Sequence, residues 1–581
     1  MSTREGIVFG TGRIDDVAAG SPKGRGREAL LIAVLALTLN LAGNGQVSLW
    51  DRDEPRYAGC TREMIAKGEW IFPTFNGEPR FHKPILIYWL MRAGFSIGGD
   101  NPFGARLISG LAGTATCLLV LKLGRRMLGQ SAGFLSALML TTAPIMVIES
   151  KLATTDATLA LFLVGSQFCL WELSKRPSKR LAALFWVLMG LATLTKGPVG
   201  LAMIACSGVV SWWWGGPVAA WGRLCWKWGI PLFLVVIAPW FIAVGIASQG
   251  EFFRFALGKQ VADRIVSKLE EHGGFPGYYV LTSFLTFYPW SALLPMAIHG
   301  AWRRRRDDPE FGFLLGWVVG PWILLECVQT KLVHYYLPAI PACALLTGRL
   351  VDSVVSEGLN VRRFALGKLS LNLLGGTGIG FFVIFVALAW RLPSPLRLPC
   401  LIAALVIGGG TLRARLQLQK AATYQAMRTL AGSWTLTILT VFAWLLPAAE
   451  PYRLSRIVGE KLASLSASRD AAPVLLSFQE PSMIYTMRRQ AYLVRTWPGF
   501  YSEVERKGVI ATAMLHPKET SEFASRSDHL DIEIKEVVSG FDLNKGKRQT
   551  LHLALIRRKP GTMLPDLGLA PGAHPEKTLV K

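Results

Sequence analysis

Acidic residues are scarce in this 581-residue chain: 39 Asp and Glu stand against 63 Lys and Arg, a formal net charge of +24 at pH 7. In a soluble protein so basic a balance would point to nucleic acid. The scarcity of polar residues overall argues otherwise, because apolar runs recur from residue 28 to about residue 449 and 51% of the chain is hydrophobic. That is too apolar for one soluble core of this size. Cysteine is sparse and unpatterned, with eight residues, no C-x-x-C pair and only Cys60 in a predicted external loop, so neither a disulfide framework nor a zinc ribbon is indicated. The first 27 residues hold Gly, Arg and Asp where a signal peptide would have an apolar core and a small-residue cleavage site, so the first apolar run is expected to be a retained anchor. No repeat of fixed period is visible, and no output module of a membrane sensor.

What is present is a succession of apolar runs. A bilayer core about 30 Å thick needs roughly twenty apolar residues per helix. Runs 28–49, 105–124, 132–149, 154–173, 229–247, 277–302, 311–328, 333–351, 371–390 and 427–448 fit that length. The run 181–214 is interrupted by Lys196-Gly197-Pro198 and reads as two spans meeting at a tight turn. Residues 399–412 make a short span, and 84–98, which carries Arg92, reads as a helix lying along the interface. The fold class is a polytopic α-helical membrane protein of about thirteen spans. The cations of the N-terminal segment 1–27, of Arg125-Arg126, Ser174–Arg180, Arg223 with Lys227, Arg303–Arg306, Arg362-Arg363 and Arg413 with Arg415 fall in alternate loops. The positive-inside rule then puts those loops and the N-terminus in the cytoplasm, so the charge needs no nucleic acid.

After the membrane domain, 28–449, the composition changes. Val474–Phe478, Gly508–Met514, Ile532–Val538 and Thr550–Arg557 are short β-prone runs, which predicts a small α/β extracytoplasmic (periplasmic) domain over 450–559. Residues 560–581, rich in Pro and Gly, are expected to be disordered. Most outside loops are short, but 50–83 and 248–276 are long, and long loops on a rigid scaffold usually carry function. The first opens Asp51-Arg52-Asp53-Glu54-Pro55-Arg56, three carboxylates and two guanidinium groups directly after a span. A solvated helix cap is the plain reading of those acids ahead of a proline. For Asp156, at the start of a span, the plain reading is a charge favoured by the helix dipole.

The motifs carry more than that. Asp53–Ala58 (DEPRYA), Arg62-Glu63-Met64, Gly68–Trp70, Asn76-Gly77, Lys83-Pro84, Tyr88-Trp89, Thr155-Asp156, Leu194–Gly200 (LTKGPVG) and Lys331–Pro338 (KLVHYYLP) occur in order across residues 28–351. In this the chain resembles the family 39 glycosyltransferases, which have the GT-C type of membrane fold and include lipid A aminoarabinose transferases and protein O-mannosyltransferases. The resemblance implies an inverting transfer of a sugar from a polyprenyl-phosphate donor to a lipid or protein acceptor at the outer face of the membrane. It also matches Asp53 to the family's essential acidic residue, with Glu54 as its neighbour, and favours a functional role for Asp156.

The reaction that the resemblance implies needs a base if the acceptor is a hydroxyl, for which Asp53 is the first choice, and cations for the departing prenyl phosphate, for which Lys83 and Arg56 come first and Lys331 next. Lys196 and Lys331 sit at span ends, where snorkelling is the plain alternative. The resemblance further implies a zinc-type divalent metal held by His82, His272 and Tyr335, although His82 stands where the family usually has Glu. A second departure is Gly59 after Ala58, where an acidic residue is usual. The competing reading is a transporter or lipid flippase, but the predicted span centres are almost free of charge, Glu326 near a span end being the main exception.

Overall fold

The computed structural model describes residues 22–50, 53–256, 274–468, 470–476, 478–515, 521 and 529–560. They fall into two compact units, one made of 1–44 and 81–447, the other of 45–80 and 448–581. His272 and the tail from 561 onward lie outside the described residues.

The first unit is helical. Its chain begins with α1 (Pro22–Leu41); α2 (Glu54–Ala66) belongs to the second unit, and α3 (Leu86–Gly98) resumes the first. The next helix, α4 (Pro102–Leu128), starts where the Asn101 side chain accepts the Gly104 N–H at 3.0 Å and Pro102 has no N–H to satisfy; Arg125 and Arg126 close its last turn. Two shorter helices, α5 (Gln130–Thr141) and α6 (Pro144–Ser150), make a pair bent by 59°. The bend falls at Pro144, which cannot donate into the preceding turn. An antiparallel pair follows, α7 (Asp156–Lys175) and α8 (Lys179–Lys196). The predicted break after Lys196 is present: Gly197 takes φ +75°, its N–H returns to Thr193 O at 2.8 Å, and Pro198 leads into α9 (Val199–Trp213).

Beyond α9 come α10 (Trp226–Ala247), α11 (Tyr278–Thr286), α12 (Leu294–Arg304), α13 (Pro309–Glu326), α14 (Ile340–Ser356), α15 (Ala365–Arg391), α16 (Ser394–Gln419) and α17 (Thr423–Thr440). Close packing between α9 and α13 depends on small residues. A Cβ on Gly312, Gly316 or Gly320 of α13 would stand 2.6 Å from Gly216, 2.6 Å from Ser211 and 2.4 Å from Ser207 respectively, so the glycine stripe lets the two backbones touch.

Seven helices among the described residues are long and apolar enough to cross a membrane, eight if the bent α5–α6 pair is one span. Helices also stand at the other expected runs, but they are shorter or carry more charge; the run 277–302, for instance, is divided into α11, a 3-10 turn at Trp290–Leu293 and α12. The expected short span at 399–412 is part of a 26-residue helix, α16.

The second unit holds a five-stranded sheet. Its strands are β1 (Ala472–Leu475), β2 (Tyr492–Leu493), β3 (Val509–Leu515), β4 (Leu530–Asp542) and β5 (Lys547–Arg558), in the order β2-β1-β3-β5-β4. β1 runs parallel to β2 and β3, whereas β5 is antiparallel to β3 and β4. All four β-prone runs became strands, and the fifth, two residues long, was not foreseen.

One boundary needs correction. The sequence reading assigned 50–83 to the membrane domain, but 45–80 forms one compact unit with the C-terminal residues. The physical reason is a set of directed bonds: Arg62 donates to Tyr485 O at 2.7 Å and stacks over the Tyr485 ring, and the Asn76 amide exchanges two hydrogen bonds with the Ala491 backbone at 2.7 and 2.8 Å. Asn76 and Gly77, at φ +55° and +81°, turn the hairpin Thr74–Phe75/Glu78–Pro79, as two left-handed residues must in a tight turn. The Glu63 carboxylate accepts from Thr74 Oγ1 at 2.6 Å and from the Asn76 N–H. Nearby, the N–H groups of Ile71 and Trp70 hold the Glu69 carboxyl below its ordinary range.

Candidate active site

In the first unit, charge collects where α7 begins and α8 ends. Because the two helices are antiparallel neighbours, these termini share one face, and the Asp156 carboxylate meets the Lys196 ammonium at 2.6 Å with both side chains about nine-tenths buried. Thr155 Oγ1 adds a bond to the same carboxylate at 3.3 Å. A burial of this kind is tolerated only for paired charges. The 3-10 turn Val333–Ala339 packs against α7 and brings Tyr335 over Lys196, ammonium to ring centroid 4.8 Å, with the His334 ring 4.9 Å from that of Tyr335. Lys83, half-buried just ahead of α3, and His334 both act electrostatically on Asp156. Three segments far apart in sequence thus bring Asp156, Lys196 and Tyr335 together, with Lys83 within electrostatic reach.

Lys331 is buried in an ion pair with Glu326. The His82 ring packs against that of Phe255, tilted by 56° with centroids 5.0 Å apart. No group of three His, Cys, Asp or Glu able to hold a metal occurs among the described residues, and His272 is outside them. In the second unit, Asp53 precedes α2 with its side chain exposed and making no cap hydrogen bond, Glu54 is buried and accepts the Trp50 N–H at 2.7 Å, and Arg56 is half-buried.

Sequence reasoning undervalued Lys196, for which it kept snorkelling at a span end as the plain alternative. It missed a second buried polar cluster in the first unit altogether. Lys151 donates to Ala42 O and to Asn44 Oδ1 at 3.1 Å and lies 5.0 Å from the Phe442 ring, while Arg106 donates to Asn44 O at 2.9 Å. Burial, and next the Arg106 charge, pull the Lys151 ammonium down to about 7. The available signal was Lys151, in the short interval between the apolar runs 132–149 and 154–173.

Known proteins share this architecture. The crystal structure of ArnT from Cupriavidus metallidurans bound to undecaprenyl phosphate superposes with a TM-score of 0.72 over 90% of this chain and 97% of that one, at 21% identity. The fold is that of ArnT. More distantly, the archaeal oligosaccharyltransferase AglB from Archaeoglobus fulgidus reaches 0.50 at 11% identity, covering 84% of this chain and 69% of its own. A family model described as dolichyl-phosphate-mannose-protein mannosyltransferase matches residues 82–242, a stretch that contains Lys83, Asp156 and Lys196. An undecaprenyl phosphate-α-4-amino-4-deoxy-L-arabinose arabinosyl transferase from Edwardsiella ictaluri is 30% identical over 357 residues, 59% of this chain. The match spans 62% of that relative's length. The transferase of the same name from Pseudomonas paraeruginosa is 28% identical over 72% of this chain and 76% of its own. The chain therefore resembles the family 39 glycosyltransferases and is a polytopic helical membrane protein with the GT-C fold; the transporter alternative gains no support from these similarities.

Proposed function

We propose that the protein is an inverting membrane glycosyltransferase that moves a sugar from a polyprenyl-phosphate donor to a lipid acceptor of the lipid A kind, at the periplasmic face of an inner membrane. The observation that carries the reading is the buried Asp156–Lys196 pair beneath Tyr335, at one end of the α7–α8 pair and within electrostatic reach of Lys83. An ammonium has three donors. Lys196 uses one on Asp156, which leaves donors for a phosphate, and Lys83 adds a second cation. The ArnT fold, the aminoarabinose transferase relatives and the alternate placement of cationic loops support the same conclusion. In this reading about thirteen spans cross the bilayer, and the second unit with its sheet is periplasmic.

In the reaction, an acceptor oxygen attacks the anomeric carbon from the face opposite the phosphate. The carbon–oxygen bond to phosphate breaks, its electron pair stays on the phosphate oxygen, and configuration inverts. Lys83 and Lys196 stabilise the charge that develops on the leaving phosphate. A hydroxyl acceptor must also give up its proton to a base, a role for which the sequence makes Asp53 the first choice, whereas a lipid phosphate is already ionised. Should a zinc-type ion be held by His82, His272 and Tyr335, it would supply a further positive charge at the phosphate, and no step above depends on it. The test is mass spectrometry of envelope lipids and proteins from cells with and without the gene. A lipid that carries an added pentose or hexose only when the gene is present is expected. Modified proteins with unchanged lipids would instead identify a protein acceptor, and no difference in either would refute the reading.

A further inference from the structure

Lys331 opens the KLVHYYLP motif, and its side chain is 5% exposed. Its ammonium is committed to Glu326 and to Phe275 O at 3.4 Å, and its stem is covered by backbone: a Cβ on Gly274 would stand 2.8 Å from Lys331 Cδ. Glu326, the last residue of α13, is equally occupied, since its second carboxylate oxygen accepts the Trp322 indole N–H at 3.0 Å and the Gly277 N–H at 3.1 Å. For Lys331 to grip a phosphate, this partly desolvated pair would have to break, at a cost the phosphate contact must first recover.

The same helix holds the rest of the motif. Tyr336 donates to Val318 O at 3.0 Å, and the Trp317 indole donates to Pro338 O at 2.8 Å. With Glu326–Lys331, these make three ties between α13 and residues 331–338, one before Tyr335 and two after it. Between the first tie and Tyr335 the chain is already in a tight turn, Tyr335 N–H to Leu332 O at 3.0 Å. Tyr335 is thus the residue that this frame leaves directed at Lys196.

We infer that Glu326 and Lys331 are a positioning pair, which fixes the turn that sets Tyr335 over the Lys196–Asp156 pair, and that Lys331 is not a ligand of the donor phosphate. The consequence for transfer rests on the reading of the protein as a polyprenyl-phosphate glycosyltransferase; the geometry at Tyr335 does not.

The experiment uses the full chain in lipid nanodiscs, with Glu326→Gln, Lys331→Gln, Lys331→Arg and the exchanged pair Glu326→Lys/Lys331→Glu. Transfer from an undecaprenyl-phosphate sugar is measured alongside the fluorine resonance of 3-fluorotyrosine placed at position 335. Glu326→Gln and Lys331→Gln should each lower kcat about 10- to 100-fold, the scale of a small misplacement of a reacting group, with the donor KM little changed. The resonance should move in both, and Lys331→Arg and the exchanged pair should recover both readouts in part. A phosphate ligand released from its partner would give the opposite pattern: Lys331→Gln raises donor KM at constant kcat while Glu326→Gln lowers it. That pattern, or a resonance unmoved by either single change, overturns the proposal. If wild type transfers nothing yet the resonance moves and returns as described, the glycosyltransferase reading fails and the positioning pair stands.

Discussion

α7 and α10 are spans of similar length, 20 and 22 residues, yet 83% of the apolar window of α7 is buried against other helices and only 11% of that of α10. The more apolar of the two is the less buried. α7 carries Asp156, Gln167 and Glu172, with Asp156 held by Lys196 and Glu172 by Arg126 at 2.7 Å. α10 has no acid, and its one cation, Lys227, is at its start. In lipid a side chain needs no apolar neighbour from the protein, whereas a charge needs a partner. Interior spans can therefore hold chemistry, and peripheral spans are free to be uniformly greasy.

The largest effect expected from breaking this contrast is on activity. Asp156→Asn removes the counter-charge of a buried ammonium beside the proposed phosphate site and should reduce transfer by roughly 10²-fold or more, measured with an undecaprenyl-phosphate sugar and acceptor lipid in nanodiscs. Exchanging Lys227 of α10 for Gln should leave the rate within about twofold.

Packing gives the next contrast. Leu163→Ala on α7, at a fully buried position, should cost about 2–5 kcal/mol, while Val235→Ala on α10, largely exposed to lipid, should cost well under about 1 kcal/mol. Thermal unfolding in nanodiscs separates them. Smaller again is the effect of filling a glycine. Gly316→Leu drives a side chain into Ser211 and should cost at least about 1–3 kcal/mol, whereas at Gly376 on α15, where nothing lies within 4 Å of the missing Cβ, Leu should be close to neutral.

How much of this was legible depends on the kind of signal. Apolar length located the helices, and Gly197-Pro198 marked the α8–α9 break because a left-handed glycine followed by proline has no helical alternative. Lys83 and Asp156 were found because they sit in motifs. Apolar length could not tell α7 from α10, since inside and lipid-facing surfaces are equally greasy, and it could not reveal that residues 45–80 fold with the C-terminal sheet, which depends on single bonds such as Asn76 to Ala491. The partner of Asp156 was invisible for the same reason: Lys196 is forty residues away, and only the antiparallel pairing of α7 with α8 brings it near.

A further expected effect is a slope with pH, of up to about 1.4 kcal/mol per pH unit. Because the buried Lys151 ammonium is lowered to about 7 from its ordinary 10.5, folded and unfolded chains are both charged there below about pH 7 and the group adds no slope. Between about 7 and 10.5 the unfolded chain binds a proton that the folded chain does not, so this group makes stability rise with pH. The difference in melting temperature between wild type and Lys151→Met should therefore shift in favour of wild type as pH is raised from 7 to 9; a flat difference would mean that Lys151 titrates normally.

The most direct test is binding of undecaprenyl phosphate, without a sugar, to the protein in nanodiscs. Lys196→Met, on the buried end of α8, should weaken that binding by roughly tenfold or more, and Lys368→Met, on exposed α15, should leave it unchanged. Equal affinity in the two variants would contradict a phosphate site built at the α7–α8 termini.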